Sequence, residues 1–299
     1  MTQERAQFTS LLEELAATVG GVSHAPTGAR PFGVLSADEV GELMKKVPSG
    51  SVDFLEIFAG GEELTFQVHC SGLAVCNGID RRTWAYGFSW KLESAEGQCR
   101  LAWLVSTRLQ PRAVHVALPC TQLGPMGKRR ADEATEKLVV LARDIANHQK
   151  MRGGLASVEQ PLGTLLYGLA NWAEEFGTPD SPQSPTGFYK VTGCQLGLEC
   201  KADKVWGARN VTARDKVKGR PMRKSLMWMA NFSLAPMTLG CRPTEALLPT
   251  THMHLDVRGT GKNEEGCWSL VERTCSYTAE LSTLYAVCLK AGLKDVALK

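Results

Sequence analysis

The chain has 299 residues, 43% hydrophobic and 22% charged, with a formal net charge of +3. This composition describes a soluble globular protein and excludes a polycation, so any nucleic-acid surface must be local. Ten cysteines are scattered with no Cys-x-x-Cys pair, and no apolar run reaches membrane-spanning length. Together these imply an intracellular setting, nuclear or cytoplasmic, with mostly buried thiols.

In chain order, the first expected element is an amphipathic helix over residues 1–19, carrying Phe8, Leu11, Leu12 and Leu15 on one face and stopped by Gly20 and Gly21. A loop follows. Ser36 then has the character of an N-cap, with Glu39 completing a capping box. Residues 51–60, SVDFLEIFAG, read as a buried strand entering a glycine turn, followed by a helix from Glu62 to Cys70 and a second strand over Leu73–Ile79. A third strand is expected near Cys99–Leu104, and AVHVALP (113–119) reads as a central strand of a parallel sheet. A long helix over 131–151, a strand in GGLASVE and a helix over 162–176 complete an alternation that predicts a doubly wound α/β sheet. Beyond Gly177 the expected pieces are a Pro/Ser-rich loop, strands in FYKVTGCQLG and SLMWMANFSL, an aperiodic stretch over 240–268 and a closing amphipathic helix. The domain reading is an N-terminal helical extension (1–51), a Rossmann-like domain (52–240) and a small irregular C-terminal lobe with the closing helix (241–299).

The first chemical signal is the turn Phe58-Ala59-Gly60-Gly61 with Asp80 at the end of the next expected strand. Small residues let a cofactor approach the backbone, and a carboxylate one βα unit later can accept both ribose hydroxyls. The G-x-G-x-x-G pattern of dinucleotide sites is absent here. That favours S-adenosylmethionine, which has no pyrophosphate, over a nicotinamide cofactor. The plain alternative is a βαβ unit with a tight turn, Asp80 pairing with Arg81 or Arg82.

The second signal is a pair. Cys120 follows Pro119 at the end of one expected strand, and Glu159 ends the next. A thiol and a carboxylic acid at the carboxyl ends of parallel strands suit covalent attack on an electron-poor ring. Their plain alternatives are a buried cysteine and a surface acid.

In this order FAGG, GID, PCT and EQP resemble the cofactor turn, acid, Pro-Cys nucleophile and Glu-Asn-Val acid of the cytosine-5 DNA methyltransferase family. GRPMRKSLMWMAN (219–231) is similar to that family's Gln-x-Arg-x-Arg strand. The resemblance covers 52–161 well and 186–231 loosely. It implies a methyltransferase sheet, S-adenosylmethionine held at Phe58, Ala59, Gly60, Gly61, Asp80 and Pro119, and a flipped cytosine attacked by Cys120. Glu159 would serve as acid at ring nitrogen 3, and Arg223 would orient the base. The chain departs from the family pattern at Glu62, Thr121, Gln160, Pro161 and Met222.

Seven cations against one acid lie between residues 209 and 224. Arg214, Lys216, Lys218, Arg220 and Lys224 are the expected phosphate contacts, with Trp206 available to stack on a base. A solvated basic loop is the plain alternative. Cys241, His252, His254 and Cys267 match no common zinc spacing, so no metal is expected. The expected partner is DNA, with RNA possible, no membrane and no assignment of oligomeric state. Two rival readings stand beside cytosine methylation: a catalytically silent, mobile-element-associated nucleic-acid-binding domain that keeps the fold, and a methyltransferase on another acceptor such as RNA.

Overall fold

The computed structural model describes residues 35–120, 123–124, 131–192, 198, 200, 202–206, 217–220, 222–238, 255–256, 260–263, 266–269 and 277–297. The helix expected over 1–19 lies outside them.

Helix α1 (Ala37–Lys46) begins as its sequence dictates: the Ser36 hydroxyl accepts from the Glu39 amide at 3.2 Å, and the Glu39 carboxylate accepts from the Ser36 amide at 2.8 Å. Leu43 and the following Val47 are buried, and Arg108 donates to the carbonyls of Met44 (2.8 Å) and Val47 (2.7 Å). Strand β1 (Phe54–Ile57) leads through the glycine turn into α2 (Glu63–Cys70).

The strand expected over Leu73–Ile79 is reduced to two isolated parallel bridges, Val75 with Phe54 and Ile79 with Ile57. Between them the Asn77 amide donates to the Tyr86 hydroxyl at 3.2 Å rather than to a strand. The strand expected near Cys99–Leu104 is a helix. Ser94 caps α3 (Ala95–Trp103), accepting from the Gly97 amide, and one π-helical turn continues to Arg108. Buried Gln98, Leu101, Ala102 and Val105 recur at helical spacing, but a short apolar run does not by itself distinguish a buried helix from a strand.

Strand β2 (Ala113–Val116), helix α4 (Glu133–Met151, capped by Asp132) and strand β3 (Leu155–Pro161) follow as expected. The long helix expected over 162–176 breaks into a 3-10 turn (Leu166–Gly168) and the short α5 (Trp172–Phe176). The cause is local: Gly163, Ala170 and Asn171 all have positive φ, a conformation no α-helix accommodates. The expected Pro/Ser loop contains the small ladder β4 (Gly177–Thr178) and β5 (Ser181–Pro182). Then come β6 (Gly187–Thr192), β7 (Lys204–Trp206), β8 (Met222–Arg223), β9 (Ser225–Ala230), β10 (Leu255–Asp256), β11 (Thr260–Asn263), β12 (Gly266–Ser269) and the closing helix α6 (Ala279–Ala297).

The main sheet has the order β1-β2-β3-β9-β6. Strands β1, β2 and β3 are parallel, while β9 runs antiparallel to both β3 and β6. Strands β12, β11 and β7 form a separate antiparallel ladder, and β10 pairs with β8.

Side-chain alternation sorts this sheet into two cores. Leu55, Ile57, Val114, Val116, Ala156, Val158 and Met229 meet Leu101 of α3 and Val139, Ala142 and Ile145 of α4. Phe54, Ala113, Leu155, Leu226, Trp228 and Ala230 meet Leu64 and Val68 of α2 and Leu281, Tyr285, Leu289 and Leu293 of α6. Each fully buried Leu or Ile contributes roughly 1.5–3 kcal/mol. The fold is therefore α/β, a mostly parallel sheet covered by helices on both faces. Among the described residues no helix is long and apolar enough to cross a membrane.

Candidate active site

The carboxyl end of β1 opens into a strained turn. Phe58, Gly60 and Glu62 all sit in the left-handed region, with φ of 61°, 55° and 59°. For Gly60 this is free, but for Phe58 and Glu62 it costs about 1 kcal/mol or more each and requires surrounding contacts to hold it. Those contacts come from the segment ending in Asp80. The amides of Phe58 and Ala59 donate to the Ile79 carbonyl at 2.7 and 3.3 Å. The Gly60 amide donates to Asp80 Oδ2 at 3.2 Å, and Asp80 Oδ1 accepts from the Arg82 amide at 2.8 Å. Turn and acid thus form one unit.

Gly78 makes that unit possible. A Cβ there would stand 2.4 Å from the Ala59 Cβ, whereas a Cβ on Gly60 or Gly61 would meet nothing within 4 Å. Space is therefore closed behind the turn and open above Gly60 and Gly61. Trp84, four residues past Asp80, is 70% exposed. Neither Gly78 nor Trp84 was singled out from the sequence; the glycine in the GID motif was the available signal for the first.

The neighbouring strand ends carry the expected pair. Past β2 the Ala117 amide donates to the Ile57 carbonyl at 3.1 Å, holding the chain beside β1. The Leu118 carbonyl accepts from Gln160 Nε2 at 2.8 Å, tying it to β3. Pro119 and the half-buried Cys120 follow at once, and the Cys120 carbonyl accepts from the Gly124 amide at 2.8 Å. Gly124 packs toward Pro161, the last residue of β3. Gln160, a departure from the family pattern, thus anchors the Pro-Cys turn.

Glu159 is buried near the end of β3, opposite Trp228 of β9. Burial pushes its carboxyl above the ordinary carboxylate range, while the Lys224 cation and a hydrogen bond from Tyr277 pull it back. Lys224 precedes β9 by one residue and shares the Trp228 face by alternation. The adjacent Arg223 lies in β8, and its side chain is outside the described residues. The Lys224 charge acts on Glu159. Arg214 and Lys216 lie outside the described residues. Lys218 pairs with Asp203 at 3.1 Å, both well exposed, and Arg220 is half-buried.

Behind Glu159 lies a polar rung that the sequence did not announce. Glu56, His115 and Ser157 stand in register on β1, β2 and β3, on the α2/α6 side of the sheet. Burial pushes His115 down to about 3, so it is neutral. Glu56 accepts from the Thr65 amide at 2.9 Å and from its hydroxyl at 2.6 Å, yet burial still pushes it up to about 7. A carboxyl raised in this way stabilises the fold fully below its ordinary pKa, and that stability is lost as pH rises through the folded value. Glu56→Gln should therefore lack a loss of stability, on the order of 3 kcal/mol, that the wild type shows between about pH 4.5 and 7. Urea unfolding at a series of pH values measures it; parallel curves for the two proteins would refute the assignment.

Among the described residues no group of three or more His, Cys, Asp or Glu side chains could hold a metal ion. Cys241, His252 and His254 lie outside them, as does the Cys267 side chain.

No family model matches the chain, and no curated protein matches it. Among solved structures it is similar to the S. pombe Dnmt2 methyltransferase, at 8% identity and a TM-score of 0.33, over 66% of this chain and 57% of that one. It is also similar to a mutant of Spodoptera frugiperda DNMT2, at 12% identity and a TM-score of 0.28, over 69% of this chain and 54% of that one. The match spans little more than half of either structure. The assignment to the α/β class rests on the strand order and the two helical layers described above.

Proposed function

We propose that the protein methylates carbon 5 of cytosine in DNA, with S-adenosylmethionine as donor. The observation that carries this reading is the placement of Pro119-Cys120 just past β2 and of Glu159 near the carboxyl end of the adjacent parallel β3, beside the turn that Asp80 braces. Ligands of open α/β sheets bind at that edge.

The residues present fit the cofactor. The space above Gly60 and Gly61 is open, and the Asp80 carboxylate stands at its rim with lone pairs left for ribose hydroxyls. Phe58, Ala59, Gly60, Gly61, Asp80 and Pro119 would hold it, with the exposed Trp84 indole offering an apolar face. Bound there, S-adenosylmethionine would supply an electrophilic methyl group for carbon 5.

The chain's own residues make that carbon nucleophilic. The Cys120 thiolate adds to carbon 6 of the flipped base. Glu159, whose carboxyl burial pushes above the ordinary carboxylate range, donates its proton to ring nitrogen 3 and neutralises the charge that addition builds there. Loss of the carbon 5 proton to solvent then expels Cys120 as thiolate, and return of the ring nitrogen 3 proton to Glu159 restores the ring and the acid. Arg223 or Lys224 would orient the base, while Arg214, Lys216, Lys218 and Arg220 would follow the phosphates.

Transfer of tritiated methyl groups to DNA, to RNA and to no acceptor tests the reading. Label in DNA is expected. Label in RNA alone would reassign the acceptor, and a folded protein that neither binds donor nor labels either polymer would be a silent binding domain.

A further inference from the structure

The polar groups behind Glu159 form one continuous chain. The Tyr277 hydroxyl donates to Glu159 Oε2 at 3.0 Å and lies 3.0 Å from His115 Nε2. His115 Nδ1 lies 2.8 Å from Ser157 Oγ, which lies 2.8 Å from the Tyr285 hydroxyl. The imidazole is held in place by rings, stacked on Trp228 at 4.7 Å and meeting Tyr277 and Tyr285 edge-on. We propose that Tyr277 is a positioning residue for Glu159, and that the chain behind it carries each change in Glu159 protonation to the tautomer of His115.

The number of hydrogens available along the chain fixes its two states. A hydroxyl has one hydrogen to donate, and neutral His115 has one. While Glu159 is ionised, Tyr277 spends its hydrogen on the carboxylate. It can then only accept from His115, whose hydrogen must be on Nε2. That leaves Nδ1 to accept from Ser157, which accepts in turn from Tyr285. When Glu159 Oε2 takes a proton from solvent, it donates to Tyr277. Tyr277 then turns its hydrogen toward Nε2, and the His115 hydrogen belongs on Nδ1, donating to Ser157. The two states differ by one proton, on Glu159. Every hydroxyl keeps one hydrogen, and His115 keeps one in a new place. His115 is too deeply buried to escape the constraint by becoming a cation.

Other titratable groups face the same chain. Lys224, before β9, and Tyr167, in the turn after β3, interact electrostatically with Glu159. Glu56 of β1 acts on Tyr277 and Tyr285, and Cys288 of α6 acts on Tyr285. Burial raises the Glu56 carboxyl as it does that of Glu159, so Glu56 must be held constant in the test.

The catalytic meaning of this device rests on the reading of Glu159 as the acid; the coupling itself does not. Nitrogen-15 spectra of histidine-labelled full-length protein, in the Glu56→Gln background, report the tautomer directly. His115→Gln identifies its signals among the six histidines. The two ring nitrogens of His115 should exchange shifts in a single step as pH crosses the Glu159 midpoint. In Glu159→Gln and in Tyr277→Phe the tautomer should stay constant with pH. If Tyr277→Phe does not fold, Glu159→Gln carries the comparison alone. An unchanged tautomer across the titration, a doubly protonated ring, or the same step persisting in Glu159→Gln overturns the proposal. Methyl transfer that fails while the step remains would count only against the enzymatic reading.

Discussion

Replacing Cys120 by Ser should abolish covalent capture of DNA carrying a mechanism-trapping cytosine analogue, and reduce methyl transfer on the order of 10³-fold or more. The backbone around Cys120 is set by bonds that a serine leaves intact: Ala117 to Ile57, Gln160 to Leu118, and the Cys120 carbonyl to Gly124. The thiol is half-buried, so the change opens little cavity, and thermal stability should move by less than ~1 kcal/mol. What is lost is chemical. A serine hydroxyl is not ionised near neutral pH, whereas a thiol supplies a reactive fraction of thiolate. A gel assay for a denaturation-resistant protein–DNA adduct gives the answer. Equal trapping by wild type and variant would remove Cys120 from the mechanism.

Glu159→Gln should lower the rate by about 10²–10⁴-fold and remove the alkaline limb of the pH profile. Burial holds the Glu159 carboxyl above its ordinary range, so the protonated acid persists above the usual carboxylate pKa and is lost as pH rises through the folded value. The wild-type rate should fall over that interval. The glutamine variant has no proton to lose and should follow a flat line there. Stability should move in the opposite sense. A raised carboxyl costs the wild type stability as pH climbs from the ordinary carboxylate range, while the amide pays no such penalty, so the variant should gain relative stability at alkaline pH. Slow but stable protein at high pH is the expected combination. A variant that keeps the wild-type rate, or the wild-type alkaline limb, would show that another group supplies the proton.

Much of the frame could be read from residues alone because its signals are local. Ser36 with Glu39 forms a capping box within four consecutive residues, and the apolar stretches of β1, β2 and β3 are bounded by turns. The failures share a cause. At Cys99–Leu104 an apolar run suits both a helix and a strand, and packing against the sheet decided for the helix. Over 162–176 a helix-like run is broken by positive φ at Ala170 and Asn171; asparagine favours that region, but alanine does not announce it.

The site divides in the same way. Phe58, Gly60, Asp80, Cys120 and Glu159 could be picked out because turn residues and reactive groups at strand ends follow from the order of elements along the chain. The sequence by itself determined that order, the side-chain alternation that splits the sheet into two cores, and which reactive types fall at the carboxyl edge. It did not determine who stands behind them. Tyr277 reaches Glu159 from 118 positions away along the chain, and Ser157 meets Tyr285 across 128. Such pairs exist only once α6 has docked on the β1–β3 face, because side-chain hydrogen bonds act over about 3 Å and carry no periodicity along the sequence. Tertiary packing therefore decided the raised carboxyl of Glu159, the neutrality of His115 and the tie between them: desolvation is a property of the folded surroundings and of no single residue.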